Sequence, residues 1–364
     1  MKTIKFKSTL TILMVILSWG ARVYAIEDKL SKEIHEEFTV TRSSSLHIEN
    51  KYGDVIIKDW DQDKLVFDIQ ITVEHPDDQE TREMLSYLDV LINKEGENIM
   101  AQTVISEKIY KTGSWFNISG EDKKFSIDYI VSMPGYLSLD LQNKYGSVII
   151  DELNGRVNIE VKYGDLKANK LTRGDEEPMN ELSLAYSKTK IEESNWVKIN
   201  SKYSQVDMEK TTALVLMTKY SKIYIDKASS IVAESKYDVY ELGELDNFVV
   251  SGKYGDFKVK SLSKQINLDV KYCDVKVDYI PGRFESVKIE NGYGAIHLGI
   301  DVNASYKLMG NAKYAKIYFP ESKKISVIDD NSEFSVSGII GPKENSTSNV
   351  IVETKYGNVN LKRK

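Results

Sequence analysis

Lysine recurs immediately before tyrosine along most of this sequence, in a pattern suited to electrostatic binding. In stacked repeats these lysines would align on one outward face, where a row of ammonium groups can bind an acidic glycan, lipid headgroups or nucleic acid. The most closely spaced members form the candidate polyanion- or glycan-binding face, here called the lysine row: Lys202, Lys219, Lys236, Lys253 and Lys271. Equivalent lysines elsewhere are Lys51, Lys144, Lys162, Lys313 and Lys355.

Acidic side chains on the same outward face weaken the case for binding. The residue two positions before the lysine is acidic in half of the repeats, as with Glu234 and Asp269, and the net charge is −6. Most nucleic-acid-binding proteins are basic, so we expect no nucleic-acid partner. Two interpretations stay open. One is a solvated, charged face that keeps the protein soluble and monomeric, which the acidic balance favours; the other is a site for an acidic glycan or another envelope protein.

Residue types that catalyse reactions are present but are not grouped. His35, His47, His75 and His297 are scattered and lack the spacing of metal ligands. No glycine-rich phosphate loop and no Ser/His/Asp order occurs. Cys273 occupies a position that Gly, Ser or Asp fills in other repeats, which indicates a small turn residue rather than a nucleophile. The sequence therefore predicts a protein that is not an enzyme, with no catalytic residue, metal site or cofactor.

Aspartate also recurs, two residues after the tyrosine, in four of the repeats. The four are Asp54, Asp165, Asp256 and Asp274. Asp256 and Asp274 would lie about one strand spacing apart and could supply half of a cation site. Hydrogen bonding of these carboxylates to nearby backbone is the favoured interpretation.

The tyrosines give the period of the elements that position these side chains. They are Tyr52, Tyr145, Tyr163, Tyr186, Tyr203, Tyr220, Tyr237, Tyr254, Tyr272, Tyr293, Tyr314 and Tyr356. From Tyr186 to Tyr254 the interval is 17 residues each time. A constant period near 20 residues is typical of a solenoid, in which each repeat buries its apolar side only against its neighbours.

Each repeat contains two strands with a bend between them. Apolar residues alternate before the tyrosine, as at Val197 and Ile199, and alternate again after it with the phase shifted by one, as at Val206 and Met208. The small residue after the tyrosine is predicted to form the bend. The tyrosines then face inward as a structural ladder of stacked rings. Its central members are Tyr203, Tyr220, Tyr237, Tyr254 and Tyr272.

This pattern predicts an all-β fold, a parallel β-helix of about 12 to 13 coils over residues 45–364. The extra coil is a degenerate one marked by Phe334. Residues 60–135 lack the repeated Lys-Tyr sequence, and we expect them to form an α+β insertion that acts partly as a cap. Within it the sequence predicts strands at 65–73, 88–92, 99–105 and 125–131 and a short helix at 78–86.

The two ends of the chain predict location and assembly. Residues 1–25 combine lysines, an apolar run and a small-residue cleavage site, which is typical of a secretory signal peptide. Residues 26–44 form a lead-in, and no later stretch is apolar enough to span a membrane. We therefore expect export to the periplasm, cell surface or medium. The last coil, residues 350–361, is predicted to be an uncovered end that permits end-to-end self-association.

One stretch resembles a known family. LSLDLQNKYGSVIIDELNGRV at residues 137–157, which follows YIVSMP at 129–134, is similar to the putative adhesin domain family of secreted bacterial β-helical repeat proteins. The resemblance covers most of residues 45–364. It implies a non-catalytic adhesin-like binding or surface-scaffold protein of unknown ligand, and brings no catalytic residues. The alternatives are a self-assembling rod of the cell envelope or a carbohydrate-active β-helix enzyme.

Overall fold

The computed structural model describes residues 29–110, 125–343 and 345–364. Its 24 strands join in one extended sheet, so the all-β prediction is confirmed. Within these ranges, no helix is long and apolar enough to cross a membrane. The signal peptide predicted for residues 1–25 lies outside the described residues.

The repeat consists of a strand before the tyrosine, the tyrosine itself and a strand after it. The pre-tyrosine strands are β2 (Ser45–Lys51), β8 (Ser138–Lys144), β10 (Val157–Lys162), β12 (Asn180–Ala185), β17 (Ser286–Asn291), β19 (Tyr306–Lys313) and β23 (Asn349–Lys355). The post-tyrosine strands are β3 (Val55–Trp60), β9 (Val148–Leu153), β11 (Leu166–Leu171), β18 (Ile296–Ile300), β20 (Ile317–Tyr318) and β24 (Val359–Arg363). Three long strands each join one post-tyrosine strand to the next pre-tyrosine strand: β13 (Lys188–Lys202), β14 (Gln205–Lys219) and β15 (Lys222–Lys236). β16 (Val239–Ile280) continues in the same way through Tyr254 and Tyr272.

Equivalent strands of successive repeats pair in parallel and in register. In β13 to β15, for example, each residue pairs with the residue 17 positions later, as Val197 does with Leu214. The alternating apolar residues of both strands are buried and belong to one continuous hydrophobic cluster. Burying each such Val, Leu or Ile contributes about 1.5–3 kcal/mol. Neighbouring repeats are therefore stabilised mainly by shared burial.

The bend between the two strands lies at the tyrosine, so the predicted bend at the following residue is wrong. Eleven repeat tyrosines have φ between 52° and 65°. The following residue is small for another reason, which is close approach of the next backbone. A Cβ at Gly146 would lie 1.9 Å from the carbonyl oxygen of Gly53, and one at Gly164 would lie 1.9 Å from that of Gly146. Among the described residues in this position, Gly294 alone has a positive φ, of 113°.

The N-terminal end carries the elements predicted between residues 60 and 135. They are β4 (Lys64–Glu74), α1 (Asp78–Ser86), β5 (Leu88–Glu95), β6 (Asn98–Ile105), a short 3-10 helix (Glu107–Tyr110) and β7 (Phe125–Pro134). Asp77 caps α1 by accepting hydrogen bonds from the backbone N–H groups of Gln79 and Glu80. β7 extends the post-tyrosine strands beside β3, and β6 extends the pre-tyrosine strands beside β2.

The sequence did not predict β1 (Lys29–Thr39), which lies in the lead-in and pairs antiparallel with β4. Its apolar residues Leu30, Ile34 and Phe38 are four apart, a spacing that does not indicate a strand. β1 pairs on one edge, and charged side chains fill most of its exposed positions. Such charges oppose pairing with another chain at this end.

The C-terminal end differs from the prediction in two ways. β23 lies between β17 and β19, and β24 lies between β18 and β20, so the last coil is internal and is not an uncovered end. Phe334 does not mark a further parallel coil, because it lies in β22 (Glu333–Ile340), which runs antiparallel to β19. Beyond it β21 (Ile325–Asp330) pairs antiparallel with β22. The outermost repeat, at Tyr314, therefore comes earlier in the sequence than the repeat at Tyr356. The repeat at Tyr356 lies between it and the repeat at Tyr293.

Candidate functional site

The five residues of the lysine row come together on one surface. Strand register places Lys202, Lys219, Lys236 and Lys253 directly opposite one another on successive repeats, and Lys271 follows in the next. All five are exposed and line one groove of about 1100 Å³. The rings of the adjacent tyrosines are 4.8–4.9 Å apart over these repeats. The row is therefore four such steps long.

The ammonium groups of the lysine row are not neutralised by ion pairs. Within the described ranges, no carboxylate oxygen lies within 4.0 Å of any of the five. Glu160, by contrast, forms an ion pair with Lys162 in an earlier repeat. The acidic neighbours therefore do not pair with the row as the sequence suggested.

Three members of the row lie over the ring of the tyrosine that follows them. The Nζ atoms of Lys219, Lys236 and Lys271 lie 5.3, 5.4 and 5.3 Å from the centroids of their own tyrosine rings. Exposed contacts of this type stabilise by about 0.5–1 kcal/mol each. The rings thus bias these ammonium groups toward one position without removing their charge.

The tyrosines form a continuous stack, but it does not face inward. Consecutive ring centroids are 4.5–5.1 Å apart and the ring planes differ by 1–15°. The central members are 41–49% exposed. The prediction of inward rings is therefore wrong, because the positive φ at the tyrosine turns its side chain out of the core. The exposed faces cover one another, and ring edges and hydroxyl groups border the lysine row.

An apolar strip beside the lysine row was missed. Val215, Val232 and Val249 pair in register on successive repeats, four residues before three of the lysines. Val232 is 46% exposed, and Met217, which lies between the strip and the row, is 45% exposed. The alternation of side chains along a strand could have predicted this strip, because the valines are an even number of residues from the lysines and therefore point to the same outward face. Met217 also lines the groove, so a ligand there would find apolar contact next to positive charge.

The cationic stretch ends at Lys271. The next repeat has Gly292 in the lysine position, and the residues two positions earlier form an acidic column in direct register, Asp269, Glu290 and Glu353. These carboxylates line the far end of the same groove. The uninterrupted row thus contains five lysines, and beyond Gly292 the lysine position is filled again by Lys355 and Lys313, which line the same groove.

A buried carboxylate lies beneath the lysine row. Asp238, which follows Tyr237, is 1% exposed. It accepts four hydrogen bonds of 2.7–2.8 Å, from the hydroxyl groups of Thr218 and Ser235 and the backbone N–H groups of Ser221 and Lys236. A buried carboxylate is tolerated only when it is hydrogen-bonded in this way. Asp238 therefore ties the backbone of Lys236 to three neighbouring polar groups.

The other candidates for chemistry remain separate. Cys273 is buried, and burial raises the pKa of its thiol, so it is a poor nucleophile. Asp274 accepts a 2.8 Å hydrogen bond from the backbone N–H of Ala295, and Asp54 accepts one of 2.7 Å from that of Ser147. These aspartates therefore bond to the backbone of the adjoining repeat. In the described part of the chain, no three His, Cys, Asp or Glu residues are placed to hold a metal ion.

Comparison with known proteins gives a likeness of fold. No protein-family profile matches the chain, and no curated protein sequence does. A putative adhesin from Bacteroides fragilis is 12% identical with a TM-score of 0.35, covering 91% of this chain and 97% of that one.

A putative cell adhesion protein from Clostridium sporogenes is 11% identical with a TM-score of 0.19, covering 92% of this chain and 100% of that one. A putative lipid binding protein from Parabacteroides distasonis is 11% identical with a TM-score of 0.26, covering 91% and 96%. Putative adhesins are therefore among the solved structures that this chain resembles, at identities and TM-scores that assign it no family and no ligand.

Proposed function

We propose that this chain is an exported, non-catalytic binding protein that binds an acidic glycan along the lysine row. Its stacked repeats would serve as a β-helical scaffold. The observation that carries the proposal is the register of five exposed lysines without ion-pair partners in one groove. Like charges directly opposite one another destabilise a sheet. Such an arrangement is therefore better explained by a ligand than by stability.

The spacing of the row suits a polymer with regularly repeated negative charges. Ammonium groups recur once per strand spacing, about 4.8 Å. A linear glycan with one carboxylate or sulfate per sugar or per disaccharide can place successive anions against successive or alternate lysines. Each contact is weak alone, so affinity would come from several contacts made together. We therefore expect binding to require an oligosaccharide and to weaken as salt increases.

The apolar strip favours a glycan over a purely ionic polymer. Val232 and Met217 are exposed beside the lysines, and the C–H faces of sugar rings can pack on such side chains while their acidic groups reach the row. A polyphosphate offers no apolar surface. The net charge of −6 also opposes general nucleic-acid binding.

Retention on immobilised acidic polysaccharides tests the proposal. The parent protein is applied at low salt to alginate and dextran sulfate resins and eluted with a salt gradient. The groove variant carries four Lys→Gln substitutions, at 202, 219, 236 and 253. The control variant removes the same total charge from post-tyrosine strands with four Lys→Gln substitutions, at 210, 227, 258 and 264.

We expect the parent protein and the control variant to be retained and the groove variant to pass through. A neutral dextran resin should retain none of them. Absence of parent retention on both acidic resins would refute the proposal. Equal loss of retention in both variants would also contradict it, because binding would then follow total charge rather than the groove.

A further inference from the structure

Strand β21 is an open edge at the C-terminal end of the sheet. Among the described residues it pairs with β22 alone. Val327 is 46% and Ile328 67% exposed, so apolar side chains are uncovered on both faces of this strand. An exposed apolar edge strand is a template for pairing with another chain. At the opposite end charged side chains cover most of β1, while β5, which among the described residues pairs with β6 alone, exposes the single apolar side chain of Leu91 to a similar extent.

The hydrogen-bonding groups on the free edge can be assigned from the backbone. The carbonyl oxygen of Lys324 accepts a 3.1 Å hydrogen bond from the N–H of Ile339, so Lys324 points its backbone groups toward β22. Because these directions alternate along an antiparallel strand, Ile325, Val327 and Asp329 point their N–H and C=O groups away from β22. The free edge thus presents three residues ready to pair.

We propose that β21 pairs with β21 of a second copy of this chain, antiparallel and about a two-fold axis. Only residues whose backbone N–H and C=O groups point away from β22 can exchange hydrogen bonds with the second copy, and this restricts the register. One permitted register places Ser326 opposite its own symmetry mate. Ile325 then lies opposite Val327 of the second copy, and Lys323, in the turn that precedes β21, comes next to Asp329.

This register is self-complementary in both charge and apolarity. The face that contains Ile325, Val327 and Asp329 is the same in both copies, so each isoleucine lies opposite a valine. At its end each aspartate meets Lys323 from the turn that precedes β21 in the other copy. Within one copy Asp329 already pairs with Lys316, so the second lysine would add a cation to an existing contact. Isologous contacts of this kind close a dimer without forming a filament.

The dimer is expected to be weak. One strand pair buries far less than the roughly 1,600 Å² of a standard interface, which places it in the transient class. The two-fold axis of an antiparallel pair is perpendicular to the sheet. Because β21 and β22 continue the pre-tyrosine strands beyond β19, both lysine rows would face the same side. The pairing itself does not depend on what the lysine row binds.

Sedimentation equilibrium over a wide concentration range, including millimolar protein, tests the proposal with two charge reversals. Lys323→Asp places two aspartates opposite each other, and Asp329→Lys places two lysines opposite each other. Each variant alone should raise the dimer dissociation constant more than about tenfold, since like charges across an interface are strongly unfavourable. An equimolar mixture of the two variants restores both Lys–Asp pairs and should dimerise like the parent. A folding defect cannot produce this rescue.

A second variant tests the edge without changing the charge pairs. Val327→Lys should abolish dimerisation, and its matched control is Leu91→Lys, on β5 at the other end, where Leu91 is 51% exposed. The control should dimerise normally. A parent protein that stays monomeric throughout would overturn the proposal. A dimer unaffected by Val327→Lys, or charge variants that do not rescue each other, would also overturn it.

Discussion

The lysine row and the post-tyrosine strands use lysine in opposite ways. On the post-tyrosine strands, lysines pair with glutamates of the neighbouring repeat: Lys210 with Glu193 at 2.8 Å, Lys227 with Glu244 at 3.3 Å and Lys258 with Glu241 at 3.2 Å. On the pre-tyrosine strands, the lysine row repeats one sign without such partners. One surface therefore compensates its own charge, and the other does not.

This difference shows that a regular charge pattern is not required for these repeats to stack. The paired surface achieves the same parallel register with both signs of charge, as in the column Glu193, Lys210, Lys227 and Glu244. The lysine row must therefore be stabilised by other contacts, which are the buried network beneath it and the tyrosine stack beside it. Substitutions in these contacts should therefore destabilise the protein more than substitutions on the paired surface.

The largest effect is expected from removing the buried carboxylate beneath the row. Asp238→Ala removes the acceptor of four donors, of which the Thr218 hydroxyl keeps the Tyr240 hydroxyl at 2.6 Å as a partner. We expect a loss of about 3 kcal/mol in the free energy of unfolding, since each unsatisfied group costs about 1–3 kcal/mol and relief of the buried charge offsets part of the sum. Guanidinium denaturation measures it. The control is Asp256→Ala, an exposed aspartate, which should change stability by less than about 0.5 kcal/mol. Equal losses in the free energy of unfolding for the two variants would show that the hydrogen bonds of Asp238 do not stabilise the fold.

A smaller loss of stability is expected from substitutions in the tyrosine stack, and alanine is expected to be less favourable there than glycine. Tyr220 has φ of 54° and its ring stacks on two neighbours at 4.9 and 4.8 Å. Tyr220→Ala removes both ring contacts and keeps the left-handed backbone, so we expect a loss of about 2 kcal/mol. Tyr220→Gly removes the same contacts but relieves roughly 1 kcal/mol of backbone strain.

The glycine variant should therefore be the more stable of the two, the reverse of the usual order in a strand. Urea denaturation of the parent and both variants measures the order of their stabilities. Alanine equal to or more stable than glycine would show that the backbone at Tyr220 is not held in the left-handed region.

The sequence predicted what depends on local pattern. The period of the tyrosines and the alternation on both sides of them indicated two strands per repeat, and helix α1 was predicted over its observed range because acidic residues open it. The direction of the tyrosine rings depends on a φ angle that tyrosine rarely adopts, so residue type pointed to the wrong position for the bend.

Strand order at the C-terminal end could not be derived in the same way. The repeats at Tyr293, Tyr314 and Tyr356 have similar patterns, and nothing local indicates that the last repeat inserts between the other two. That choice depends on which strands bury each other's apolar side chains after the chain reverses at β21 and β22. For the site, the register of the lysines followed from their period. The absence of ion pairs did not, because Glu234 and Asp269 share the outward face and only side-chain positions show that they leave the row unpaired.

The smallest effect, and the most direct comparison of the two surfaces, comes from single lysines. Lys253→Gln relieves repulsion from Lys236 in the adjoining repeat, so we expect a stabilisation of a few tenths of a kcal/mol at low salt. On the other surface Lys170 lies directly opposite Glu152 and Glu193 and pairs with Glu152 at 3.0 Å. Lys170→Gln removes an equal charge there and should destabilise by a similar amount. Because the Debye length falls from about 10 Å at 0.1 M salt to about 3 Å at 1 M, the two values should converge toward zero as salt increases. Thermal unfolding at both salt concentrations measures this. The same sign for both substitutions at low salt would mean that the two surfaces do not differ electrostatically, and that the lysine row carries no excess repulsion for a ligand to relieve.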